Sequence, residues 1–172
     1  MKKLCLLSVF TAFAVILGYV EALIPFDFGI YGFKIGIANI AVVLTLYLFD
    51  VRSAYLVSTL RVLIIGTLFG TIFSVIFSLA GALLSVTLMS VAKRLLKASP
   101  LLVSTLGGVG HNVGQVVIAA IILNAREILY LMPILLILGA LTGLVIGICS
   151  NIIIHRIKGN KIFTLLSNKE EI

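Results

Sequence analysis

Long apolar runs separated by short polar breaks organise this chain, and they predict six helices. Uninterrupted apolar stretches of about 20 residues are the length of a bilayer crossing. The breaks place helices at about 4–24, 34–49, 54–69, 72–96, 101–123 and 130–155. Pro25 ends the first, and Asp50 to Ser53 separates the second from the third. A Gly70-Thr71 turn divides a stretch that would otherwise outrun any bilayer thickness. Lys97 to Pro100 and Asn124 to Glu127 mark the remaining breaks. The run after Met1-Lys2-Lys3 resembles a secretory leader, but it continues to about residue 24 without an A-x-A site and reads as a retained first helix.

Composition turns this pattern into a fold class. The chain is 62% hydrophobic and only 11% charged, with a mean hydropathy of +1.30. A water-soluble domain so apolar would lack a polar surface, and the alternation of an outer-membrane barrel is absent. The expected fold is an all-α integral membrane protein, a six-transmembrane-helix bundle over residues 1–157 with a polar cytoplasmic tail over 158–172.

The net charge of +7 reflects topology rather than nucleic-acid binding, since no basic face interleaved with aromatics is present. With both termini inside, ten Lys and Arg residues fall on the cytoplasmic side and only Lys34 and Arg126 outside, a positive-inside bias. Cys5 and Cys149 form no CxxC pair and read as small packing residues in a reducing compartment. Small residues four apart, as in Gly139-x3-Gly143-x3-Gly147 and Gly110-x3-Gly114, predict close helix packing.

Candidate chemistry lies in the polar residues inside the apolar runs: Asn39, Arg61, His111, Asn112 and Gln115. Hydrocarbon does not solvate such groups, so each must face protein or an aqueous cavity. Arg61 suits a bidentate contact to an anionic or carbonyl group. His111 and Gln115 share a helical face, with glycines around them that leave room for a backbone or a ligand. Glu21, Asp27, Tyr31 and Lys34 form a more outward layer around the first loop. Nothing indicates catalysis or a metal. His111 is the one deep histidine, and neither a Walker A loop nor a G-x-S-x-G motif is present.

Three segments carry a family resemblance: Lys34-Ile-Gly36-Ile-Ala-Asn39, Arg61-x4-Gly66-x3-Gly70-Thr71, and Gly110-His111-Asn112-Val-Gly114-Gln115. Over about residues 4–157 the chain resembles the Gx transporter family, also labelled heptaprenyl diphosphate synthase component I. More widely, it resembles the S components of energy-coupling factor (ECF) transporters. That resemblance implies a substrate-binding subunit in a bacterial cytoplasmic membrane, with no cofactor of its own. Its cavity would open outward, lined by Asn39, Arg61, His111, Asn112 and Gln115 and gated by a loop including Pro25, Asp27, Tyr31 and Lys34. The solute would be vitamin-like or an isoprenoid or quinone precursor. A transmembrane coupling subunit with two ATPases would dock on the first helix, where Ser8-x3-Ala12 and Ala14-x3-Gly18 come nearest to an AxxxA motif.

The synthase label implies a non-catalytic accessory instead, because Asp27 and Asp50 cannot supply a DDxxD diphosphate site. A third implication is a membrane subunit of a flavin- or quinone-linked electron-transfer system. Neither Thr71 nor Thr164 lies in a flavin-attachment motif.

Overall fold

The computed structural model describes residues 2–23 and 36–159. Its helices follow the punctuation of the sequence: α1 Lys2–Leu23, α2 Asn39–Leu48, α3 Val51–Phe69, α4 Ile72–Leu95, α5 Pro100–Ile122 and α6 Met132–Lys158. A 3₁₀ turn, Arg126–Leu131, precedes α6. No strand occurs among the described residues.

Local chemistry fixes the helix starts. Asp50 caps α3 by accepting the Ser53 backbone N–H at 2.7 Å. Thr71 and Ser74 form a reciprocal capping box on α4, which stabilises the Gly70-Thr71 break. Pro100 and Pro133 stand in the first turns of α5 and α6, where a missing N–H costs nothing.

Among the described residues, five helices have the length and apolarity to cross a membrane. Their outward side chains are apolar, among them Leu4, Ile16, Leu83, Ile121, Ile137 and Ile152. In lipid this surface needs no polar cover. Cys5 and Cys149 are free thiols exposed on that surface rather than packed inside.

The second helix departs from expectation. A crossing over 34–49 was expected, but α2 begins only at Asn39 and has ten residues, about 15 Å or half of a hydrocarbon core. Gly36 takes φ +78°, a left-handed conformation that ends regular helix there. Short as it is, α2 is the most enclosed element. Val42, Val43 and Leu46 pack with Ala54, Val86, Met89 and Val103, while Ala41 joins Leu7, Ala14 and Val57 in a second cluster.

Around α2, α3 packs on α4, α4 on α5, and α5 on α6, with α1 resting on α3 and α2. The α5–α6 seam brings backbones together. A Cβ on Gly143 would lie 2.7 Å from the Ser104 carbonyl oxygen, and one on Gly108 would lie 2.2 Å from that of Gly139. On the α4–α5 seam, a Cβ on Gly114 would lie 2.8 Å from the Ala80 oxygen. The room beside the glycines near His111 is therefore filled by neighbouring helices.

Candidate functional site

A cavity of about 390 Å³ lies between α1, the start of α2, α3, α4 and α5, within the range of small-molecule sites. Its polar wall comes from Glu21 on α1, Asn39 at the first turn of α2, Arg61 at the middle of α3, His111 at the middle of α5, and Ser74 and Ser78 on α4. Val62, Ile65 and Phe69 supply apolar surface, and Phe69 stacks at a tilt on Tyr19 of α1, with ring centroids 5.2 Å apart.

Arg61 dominates the electrostatics. It is only 7% exposed, and its Nε is buried without a hydrogen-bond partner among the described residues. A buried, unsatisfied donor is costly, and it is most often retained where something else satisfies it. Glu21 exerts an electrostatic attraction on it. One Glu21 carboxylate oxygen accepts the Gly36 backbone N–H, fastening α1 to the start of α2.

The five expected binding residues divide. Asn39, Arg61 and His111 line the cavity. Asn112 points away from it: its side-chain amide donates to the Leu135 carbonyl at 2.6 Å, a tie between α5 and α6. Beside that tie is a void of about 10 Å³, also touched by Asn39 and His111, roughly the room one water needs. Gln115 packs on the α4–α5 seam, where a Cβ on Gly81 would meet its Cγ at 2.7 Å. Pro25, Asp27, Tyr31 and Lys34, the expected gating loop, lie outside the described residues.

On the expected docking face, Ser8 and Ala12 are exposed, whereas Ala14 and Gly18 are buried, with Gly18 facing Ile65 at the cavity edge. Glu21, expected in the more outward layer around the first loop, lines the cavity wall two residues before the end of α1. Ser74 and Ser78 also line the cavity without having been among the expected site residues, and their four-residue spacing is the signal that they share a face.

Residues 10–153 match the family described as heptaprenyl diphosphate synthase component I. The chain belongs to this family. The match covers all six helices in whole or in large part and includes every cavity residue named above. No curated protein and no solved structure matches the chain. In this member of the heptaprenyl diphosphate synthase component I family, an apolar helical bundle brings Glu21, Asn39, Arg61 and His111 to one cavity and ties Asn112 to α6 instead.

Proposed function

We propose that this chain is a solute-binding membrane subunit that resembles the S components of ECF transporters and captures a small organic solute from outside the cell. The observation that carries the reading is Arg61, buried at the middle of a spanning helix, unsatisfied at Nε, and facing a ligand-sized cavity. An intramembrane cation retained at such cost is expected to serve binding or transport. Arg61 would hold an anionic group of the solute, while Asn39 and His111 orient its other polar groups. The basic ends of α4 and α6, with Lys93, Arg94, Arg156 and Lys158, would face the cytoplasm. A coupling subunit with ATPases would supply the energy, and this chain would not itself be an enzyme.

The family description favours a second reading, a non-catalytic membrane partner of a prenyl diphosphate synthase. The chain carries only two aspartates and has no aspartate-rich diphosphate motif. Under this reading, catalysis would belong to the other component.

Native mass spectrometry of the protein purified from its own membrane tests the choice. Retention of a small molecule by the wild type and its loss in Arg61→Ala supports solute binding. An empty cavity together with stoichiometric co-purification of a soluble prenyltransferase would favour the accessory role and reject the first.

A further inference from the structure

The charges in the cavity do not suit a simple anion. Glu21 and Arg61 both line it, close enough to attract one another. Yet among the described residues no hydrogen bond or ion pair joins the two. Glu21 is held instead by the Gly36 N–H, and Arg61 Nε is left unsatisfied. Arg61 is withdrawn from water and Glu21 partly so; charges shielded in this way lose solvation, and contact between them is what would offset that loss. Here the contact is missing and a cavity of about 390 Å³ adjoins both.

Ligand classes fit this arrangement unequally. A simple anion satisfies Arg61 but brings a second negative charge near Glu21 in a low-dielectric site. A simple cation repeats the problem beside Arg61. An uncharged molecule leaves both charges without an ionic partner. A molecule bearing both an ammonium and a carboxylate completes both, and Val62, Ile65 and Phe69 provide for an apolar body.

We propose that the cavity takes a small zwitterionic, amino-acid-like solute, its carboxylate on Arg61 and its ammonium on Glu21. This inference rests on the solute-binding reading and narrows it to one charge class.

The test uses the full chain, purified ligand-free in detergent, with thermal unfolding followed by circular dichroism. The probes are the proteinogenic amino acids and linear ω-amino acids, set beside matched monocarboxylates and monoamines that lack one of the two groups. At least one zwitterion should raise the unfolding temperature while its one-charge counterparts do not. Glu21→Gln should weaken that zwitterion about thirtyfold or more, the usual consequence of removing one partner of a buried charged pair. Glu21→Asp, which keeps the charge, should recover part of the loss and guards against a folding defect.

Monocarboxylates that bind as well as zwitterions, and more tightly in Glu21→Gln, would overturn the proposal while leaving an Arg61-dependent solute site in place. A zwitterion indifferent to Glu21→Gln would also overturn it. Stabilisation by no probe rejects the zwitterion class, and an empty native mass spectrum alongside it rejects the solute site as well.

Discussion

Replacing Arg61 by methionine should stabilise the empty protein while removing its ability to hold a ligand. Arg61 is 7% exposed and its Nε has no partner among the described residues, so folding strips water from Nε without a compensating bond. Such an unsatisfied group costs about 1–3 kcal/mol. Methionine keeps the length of the stem and adds flexible apolar bulk beside an open cavity, so overpacking is not a concern. Part of the gain is offset because Glu21 loses its attractive counterpart, and the double variant with Glu21→Gln recovers that part.

At about 3 °C per kcal/mol for a chain of this size, the unfolding temperature of the ligand-free protein should rise by about 3–9 °C. Circular dichroism in detergent, on wild type and variant stripped of bound molecules, reads this directly. A fall of several degrees would show that Arg61 is structural and would refute the argument that its burial is tolerated for a ligand.

The α5–α6 seam gives a second prediction. A Cβ on Gly143 would approach the Ser104 oxygen to 2.7 Å and the Thr105 Cα to 2.8 Å, so Gly143→Ala should cost about 1–3 kcal/mol, whereas Gly159→Ala, whose Cβ meets nothing nearer than 3.4 Å, should be near neutral in the same melts. Asn112→Ala should cost about 1–2 kcal/mol through the lost bond to Leu135 and leave the retained ligand in native mass spectra unchanged; loss of the ligand in a folded variant would place Asn112 in the site after all.

A pH prediction concerns Asp50. Burial opposes its ionisation, but hydrogen bonds from Lys3 and Ser53 and the charge of Lys3 outweigh this and bring its pKa from 3.8 down to about 2. The stabilisation is therefore fully present above pH 3.8 and is lost as pH falls through about 2. Both side chains are 42% exposed, so Asp50→Asn should cost no more than about 1 kcal/mol at pH 7. That difference from wild type should shrink in acid melts, and a difference that grows on acidification would contradict the assignment.

Much of the fold was legible because its boundaries are chemical. Pro100, Pro133 and the Thr71–Ser74 box begin helices within a residue or two of where the sequence places them, while the Asp50 cap starts α3 at Val51, three residues before the expected position. The second helix was harder to read. Ile35 to Ala38 is as apolar as the helix it precedes, so hydropathy could not reveal the turn that Gly36 makes. At the site, the sequence showed which residues are too polar for lipid but not which neighbour each meets. His111 and Asn112 are adjacent, so their side chains diverge by about 100° around α5. One reaches the cavity and the other α6. Gln115 shares the face of His111, yet it lies a turn further along, against Gly81. Glu21 was placed by a contact with the Gly36 backbone, which no spacing rule predicts.

The glycine seams also decide where the molecule can yield. Where α5 meets α6 through backbone atoms, no rotamer change can loosen the joint, and a slide of even part of a turn would drive Cα against carbonyl. α1 is attached differently, through side chains and chiefly to α2 and α3, and it contributes Gly18, Glu21 and Ala22 to the cavity wall. The joint between α1 and the bundle is thus one of side chains, in a helix that also forms part of the cavity wall. If the proposed solute-binding role holds, a solute entering or leaving would work α1 as a door leaf against α4, α5 and α6, whose seams are set by backbone contact.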